Sequence, residues 1–343
     1  MEIDAEGSLT NARGEVRHFG RQAFVSLARD TNRCFVCGAS NSYRTFNYEH
    51  VIPDWLLRRF SLHSRRITLP NGYQTMYGGY TLRCCASCNR VLGERVEDPI
   101  SRVFEGDTHS TIRNLKRAPT LLYQWLCLLF IKIHLKDREI RVDPDARNEL
   151  GQIGEIYDWD GLHHIHSVAR AAHSGATIDH VVLGTTFLTE MRPDGEPFDF
   201  GSLSEYSTIL VRIGPLGIAS VLNDCGHVGP MVSGYLAGIS GSLSSIQLRE
   251  VAARLAYGNK LLRNRPQFWT EADGDSRLSI RARPPAPGNG GDVDREELGQ
   301  LIAFSCGSLL LHSKTPDAEE KLRQLQRGEI QFLYHDDGTF IRD

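Results

Sequence analysis

Cys34-Phe35-Val36-Cys37 and Cys85-Ala86-Ser87-Cys88 are two cysteine pairs with the same C-x2-C spacing, and 47 residues lie between them. A C-x2-C turn binds Zn²⁺ through two thiolates, and two such turns complete a tetrahedral site. Four thiolates leave no open coordination position, so the sequence predicts a structural zinc held by Cys34, Cys37, Cys85 and Cys88. Two chance pairs are the alternative interpretation. Cys84 also precedes this turn, but only Cys85 has the two-residue spacing to Cys88.

The segment between the two pairs contains Tyr48-Glu49-His50-Val51-Ile52-Pro53-Asp54-Trp55-Leu56, and Asn89 directly follows the second pair. A carboxylate beside a histidine allows one residue to bind a cation while its neighbour accepts a proton. Zinc binding by Cys88 would also place Asn89 opposite the Glu49-His50 segment. We therefore expect Glu49, His50 and Asn89 to lie in one site. A lone, exposed Glu-His dipeptide is the alternative.

This order of motifs resembles the zinc-bearing HNH endonucleases, whose fold is the ββα-metal finger, over the 72 residues from Arg33 to Phe104. The resemblance implies that His50 is the general base that deprotonates the attacking water. It also implies that Glu49 and Asn89 hold one catalytic Mg²⁺ or Mn²⁺ at the scissile phosphate. Cleavage would then leave 5′-phosphate and 3′-hydroxyl ends.

The sequence departs from the family pattern at two positions. Asn89 replaces the final histidine of the family, a variant that other members share. The middle asparagine, which orients the backbone of the histidine, has no counterpart: the stretch 80–83 is Tyr-Thr-Leu-Arg, and Asn71 lies too far upstream. Glu97, two helical turns beyond Asn89, is interpreted as a helix-surface charge in preference to a further ligand.

The charge distribution favours nucleic acid as the partner of the N-terminal part. Residues 1–141 contain 21 Lys and Arg against 14 Asp and Glu, whereas the remainder contains 18 against 28. Arginines near a phosphate-cleaving centre hold the nucleic-acid backbone without reading its sequence. We therefore expect DNA as the substrate, with RNA as the alternative, and backbone contacts from Arg58, Arg59, Arg65, Arg66, Arg83, Arg90 and Arg95.

The fold class predicted from these patterns is α+β. A short N-terminal helix and the zinc-clamped ββα-metal module are assigned to residues 1–106, and a larger α+β domain of regulatory, oligomerising or partner-binding role to 107–343. The helix after Asn89 is predicted to end at Asp98-Pro99. His163, His164 and His166 are interpreted as surface histidines in preference to a second metal site. Three further predictions are an apolar helix over 121–135, a hairpin around Gly214-Pro215 and a helix over 242–263; two more are a loop over 284–291 and a closing hairpin over 330–341.

Localisation and function are expected to follow from the same features. The segment 1–15 is polar and acidic, unlike a signal peptide, and the longest apolar stretch is too short to cross a bilayer, so we expect a cytoplasmic protein without a membrane partner. The leading hypothesis is a metal-dependent endonuclease, such as a defence (antiviral) or restriction-type effector. The alternatives are a catalytically inactive zinc-knuckle nucleic-acid-binding protein whose C-terminal domain carries the function, and a protein-interaction scaffold.

Overall fold

The structure, a computed structural model, describes residues 1–145, 147–273, 277–286, 290–312 and 316–342. Helices form 42% and strands 21% of the chain, so the fold is mixed α and β, compatible with the α+β class. The elements of the N-terminal half are β1 (Glu2–Ile3), β2 (Leu9–Thr10), β3 (Val16–His18), α1 (Arg21–Arg29), β4 (Phe46–His50), α2 (Asp54–Arg59), β5 (Arg66–Thr68), β6 (Gln74–Met76), β7 (Thr81–Cys85), α3 (Ala86–Leu92), α4 (Asp98–Val103), α5 (Thr108–Arg117), α6 (Pro119–Asp137), α7 (Ile153–Ile156), α8 (His163–Ala169) and α9 (Ala171–Ser174). Those that follow are β8 (Thr177–Ile178), β9 (Thr186–Glu190), β10 (Phe198–Leu203), β11 (Thr208–Ile213), β12 (Leu216–Val221), α10 (Val228–Leu236), α11 (Ser245–Lys260), β13 (Gln267–Ala272), β14 (Leu278–Arg283), α12 (Arg295–His312) and α13 (Ala318–Gln326).

The chain folds into two compact units. The first unit contains Met1–Gly106, Arg117–His180 and Phe268–Arg281, and the second contains Asp107–Lys116, Val181–Gln267 and Ala282–Asp343. This division differs from the predicted one, which assigned everything after residue 106 to a second domain. The physical reason is that part of the core of the first unit comes from beyond residue 106.

Helix α6 supplies that part of the core, and most of its side chains are buried. The Trp125 ring lies 6.4 Å from the Trp55 ring and 6.0 Å from the Phe104 ring, measured between centroids. The Tyr80 hydroxyl donates a buried hydrogen bond of 2.6 Å to Oδ1 of Asp137. The predicted apolar helix over 121–135 is thus present, and it packs against the N-terminal hundred residues.

No single helix in the described part of the chain is long and apolar enough to cross a membrane; α5 and α6 meet that criterion only when they are taken together.

A hairpin followed by a helix occupies the middle of the first unit. Strands β4 and β7 pair antiparallel, with Phe46 opposite Cys85 and His50 opposite Thr81. Helix α3 begins at the residue after β7. The intervening segment contains α2 and the separate hairpin β5–β6, which pairs Arg66 with Met76. The predicted cysteine pairs and the Glu49-His50 segment therefore belong to one β-hairpin and its following helix.

The prediction that the helix after Asn89 ends at Asp98-Pro99 is wrong. Helix α3 continues through a π-helical turn, Gly93–Glu97, into α4. Pro99 lies in the first turn of α4, directly after the π-turn, a position near a helix start where proline is tolerated. The π-turn consequently connects α3 to α4, and it contains Glu97.

The second unit is built on an antiparallel sheet with the strand order β10-β11-β12-β9. The predicted hairpin around Gly214-Pro215 is confirmed as β11–β12. The predicted helix over 242–263 is α11, whose first turn is closed by a capping box between Ser244 and Gln247. The predicted closing hairpin is reduced to one bridge, Tyr334 with Phe340. In the predicted loop over 284–291, residues 287–289 lie outside the described residues.

We predict that a fragment ending at Gly106 does not fold on its own. It lacks α6, so Trp55 and Phe104 lose Trp125 and the Tyr80 hydroxyl loses Asp137. Burying a large aromatic side chain contributes several kcal/mol, comparable with the whole stability of a small domain. Circular dichroism with thermal unfolding should show no cooperative transition for the fragment and a clear one for the full chain. A cooperative transition in the fragment would contradict the division described above.

Candidate functional site

Four cysteines meet at one end of the β4–β7 hairpin. Cys34 and Cys37 lie in a turn in which the Gly38 N–H donates to the Cys34 carbonyl, Cys85 ends β7, and Cys88 lies in α3. The four Sγ atoms lie within 4.8 Å of one another, and those of Cys37 and Cys85 are 3.6 Å apart. A tetrahedral site with Zn–S bonds of about 2.3 Å separates its sulfurs by about 3.8 Å. The group could therefore hold a structural metal such as zinc.

The pKa values of the thiols in this group are shifted in opposite directions. The pKa of Cys34 is lowered, chiefly by its hydrogen bond with the Cys37 thiol. The pKa of Cys85 is raised by burial, and that of Cys88 by its hydrogen bond with Cys34. Four adjacent thiolates repel one another unless a metal ion neutralises them, which is why metal binding to such sites releases protons. Cys84, whose Sγ lies 3.7 Å from that of Cys34, stays outside the group.

Residues beyond 160 support the turn that contains Cys34 and Cys37. The buried Arg170 side chain donates through Nε to the Val36 carbonyl at 2.8 Å, and through its terminal nitrogens to the carbonyls of Val16 and Arg17. Nε2 of His166 lies 2.7 Å from the Phe35 carbonyl oxygen. The backbone of the cysteine turn is thus fixed by α8 and by the residue that follows it.

The interpretation of His163, His164 and His166 as surface histidines is wrong. His164 and His166 are buried, and Nε2 of His163 contacts the Phe19 carbonyl at 2.7 Å. The His166 ring stacks on Phe24, with centroids 4.5 Å apart. Burial lowers the pKa of His164 to about 3, so its ring is neutral near pH 7. These histidines pack the core of the first unit, and they are absent from the metal-ligating groups of the described residues.

We predict that the purified protein contains about one zinc per chain and that Cys88→Ser loses it. Removing one thiolate breaks the four-ligand shell and with it a metal contribution to folding on the order of 10 kcal/mol. Cys84→Ser is the matched control, because Cys84 lies beside the cluster without belonging to it. Elemental analysis measures both variants. Equal zinc loss in the two would contradict the assignment of Cys85 as the ligand.

The two faces of the β4–β7 hairpin differ in exposure. Successive residues of a strand point to opposite faces, so Tyr48 and His50 share one face and Asn47 and Glu49 share the other. Tyr48 is 72% exposed and lies opposite Arg83, which is also exposed. Glu49 is only 6% exposed. The hairpin therefore presents the face with His50 to solvent and buries the carboxylate of Glu49.

Lys132, in the middle of α6, meets that buried carboxylate. Its Nζ lies 2.7 Å from Oε1 of Glu49 and 2.8 Å from Oε1 of Glu97. It also donates to the backbone carbonyl of His50 at 2.8 Å. Burial by itself would lower the pKa of Lys132, but the two carboxylates outweigh burial and raise the pKa, so the ammonium stays charged. This contact holds the backbone of His50, the task that the resemblance gives to the missing asparagine.

The same network changes the interpretation of two carboxylates. Glu97 is not a helix-surface charge: its side chain is 14% exposed and paired with Lys132, and burial raises its pKa. A cation on Glu49 would have to share that carboxylate with the Lys132 ammonium. Asn89, the other predicted ligand, donates through Nδ2 to Oδ1 of Asn47 at 3.1 Å, on the Glu49 face of the hairpin. The Glu49–Asn89 cation site stays a prediction.

A second group of ligating atoms includes His50 itself. One ligating atom from each of His50, Asp54 and His63 lies within 4.8 Å of the others. Nε2 of His63 is 2.9 Å from Oδ1 of Asp54, and the His50 and His63 rings are nearly perpendicular with centroids 6.0 Å apart. Asp54 begins α2, directly after Pro53. Nothing in the spacing of these three residues matches a familiar ligand motif, so sequence reasoning missed Asp54 and His63.

The predicted backbone-binding arginines have different surroundings. Nε of Arg58 pairs with Asp54 at 2.6 Å, and Nη1 of Arg66 contacts Gln74. Arg59 and Arg95 donate to the carbonyls of Phe104 and Ala172. All seven arginines belong to the first unit and are exposed: Arg58, Arg59, Arg65, Arg66, Arg83, Arg90 and Arg95. Arg83 lies over the Phe46 ring at 5.6 Å, on the same face as His50.

Comparison with known proteins adds no family. The chain has no significant match among protein-family models, curated proteins or solved structures. Both metal-ligating groups found in the described residues lie in the first unit.

We predict that Lys132→Met lowers the free energy of unfolding by about 3–5 kcal/mol, because it leaves the Glu49 and Glu97 carboxylates buried without their cation. Lys136→Met, on the same helix but without a carboxylate pair among the described ion pairs, is the matched control and should change stability little. Adding Glu97→Gln to Lys132→Met should restore part of the loss. Chemical denaturation measures all three variants. Unchanged stability in Lys132→Met would show that the buried ion pairs do not form.

Proposed function

We propose that this protein is a metal-dependent endonuclease of the HNH type that hydrolyses phosphodiester bonds in DNA. The observation that carries the proposal is the arrangement around His50. A β-hairpin is followed directly by a helix, a four-cysteine group lies at one end of the hairpin, and the histidine lies on its solvent-facing side. Lys132 holds the backbone of that histidine from behind. A protein that only binds nucleic acid needs no such fixed histidine.

The surroundings of His50 suit a phosphate substrate. His50 would accept a proton from the attacking water, with its position fixed through its backbone carbonyl. Arg83 and Tyr48, opposite each other on the same face, would hold a backbone phosphate and stack on a base. A bound divalent cation would supply charge neutralisation at the phosphate. We infer little sequence preference, since these contacts address the backbone.

One observation favours a second candidate function. Glu49, the acidic residue that the resemblance assigns to the cation, is already paired with Lys132 and is almost fully buried. A module that retained its zinc and its basic surface but had lost its cation would bind DNA or RNA without cleaving it. The second unit would then carry the function. In the first proposal, that unit docks a partner or controls the nuclease.

We predict that the protein nicks or linearises supercoiled plasmid in the presence of Mg²⁺ or Mn²⁺, and that EDTA abolishes the activity. His50→Ala should reduce cleavage by about 10²–10⁴-fold, the usual contribution of a general base. His109→Ala, a substitution of an exposed histidine in the second unit, is the control and should cleave normally. Gel electrophoresis measures plasmid cleavage by the unsubstituted protein and by each of the two variants.

If no cation supports cleavage, but the protein binds DNA and Arg83→Ala weakens that binding, the nuclease proposal is wrong and the second candidate, the binding module, is supported. Cleavage that survives in His50→Ala would remove His50 from the reaction.

A further inference from the structure

We propose that His50, Asp54 and His63 form a binding site for one divalent transition-metal ion, distinct from the four-cysteine group and from the Glu49–Asn89 pair. The three residues come from the end of β4, the start of α2 and the turn after α2. The inference deepens the proposed function, because it locates the cation beside the hairpin face that would meet the phosphate. Metal binding itself does not depend on that function.

The distances suit a cation with little rearrangement. Adjacent ligands of an octahedral ion with bonds of about 2.1 Å lie about 3 Å apart. Oδ1 of Asp54 and Nε2 of His63 are separated by 2.9 Å. A ring nitrogen of His50 lies within 4.8 Å of both, so a small side-chain rotation brings it into the same shell. In the absence of a metal, a hydrogen bond between Asp54 and His63 occupies this position.

The orientation of Asp54 is fixed from its other side. Its Oδ2 is paired with Nε of Arg58 at 2.6 Å, one turn further along α2. Its Oδ1 contacts Nε2 of His63. The Asp54 and His63 side chains are 36% and 45% exposed, so an ion has access from solvent. Arg58 is the nearest positive charge that an incoming cation would meet, and its side chain is 77% exposed, so solvent screens it.

The donor set indicates which ions would bind. Two imidazoles and one carboxylate are typical of sites for Mn²⁺, Fe²⁺ and related transition metals with open positions, whereas Mg²⁺ prefers oxygen ligands alone. Three protein ligands leave positions for water and for a phosphate oxygen. In this site His50 would be a ligand in place of the general base of the proposed function, and the ion would supply the activation of water.

The test measures Mn²⁺ binding by the electron paramagnetic resonance of free Mn²⁺, using the full-length, zinc-containing protein. We expect about one Mn²⁺ per chain. Outer-shell changes at metal sites cost about 10–100-fold in affinity, so losing a direct ligand in Asp54→Ala or His63→Ala should cost at least that. Glu94→Ala, which removes an exposed carboxylate of the π-turn, is the control and should bind normally.

The outcomes separate this site from its competitor. Loss of Mn²⁺ in Asp54→Ala and His63→Ala, with binding retained in Glu49→Gln, supports the proposal. Loss in Glu49→Gln with binding retained in the other two places the ion at Glu49 and overturns it. Absence of Mn²⁺ binding also overturns it, whereas Mg²⁺-dependent plasmid cleavage in the same preparation would leave the proposed nuclease intact.

Discussion

The buried ammonium group of Lys132 joins three segments of the first unit at the candidate centre. It joins β4 through Glu49, the π-turn through Glu97 and the strand end through the carbonyl of His50. A buried charge is tolerated only when it is paired and hydrogen-bonded, and the two carboxylates and the carbonyl meet that condition. The hairpin with His50 therefore depends on α6, and for this reason the first unit extends far beyond residue 106.

The four-cysteine group acts at the other end of the same hairpin. Cys85 lies opposite Phe46, where β4 begins, and Thr81 lies opposite His50, where β4 ends. The hairpin is consequently held at both ends, by thiols at one and by Lys132 at the other. Arg170 and His166 extend the support to the cysteine turn. A strand held at both ends keeps the backbone of His50 in place, which favours a reactive or ligating role for its side chain.

The features that could be predicted from the sequence are those determined by residues close together in the chain. The cysteine pairs, the apolar run of α6, the turn at Gly214-Pro215 and the helix α11 all follow from residues within a few positions of one another. Apart from the helix end predicted at Asp98-Pro99, the errors concern contacts between distant residues. Lys132 is 83 positions from Glu49, and the burial of His166 depends on stacking against Phe24. A lone lysine in an apolar helix was the available signal, because a charge there needs a buried partner.

The balance of charge around His50 connects these findings. Lys132 pairs with both Glu49 and Glu97, so a cation on Glu49 would have to share that carboxylate with the ammonium. Asp54 is different, because Arg58 holds one of its oxygens, the other contacts His63, and a ligating atom of His50 lies within 4.8 Å. The solvent-facing group of His50, Asp54 and His63 therefore offers a metal ion a carboxylate that is not paired with Lys132, unlike the buried Glu49. Under the proposed function, the chemistry would take place at the hairpin with His50, with the cation on its exposed face and not at the buried Glu49.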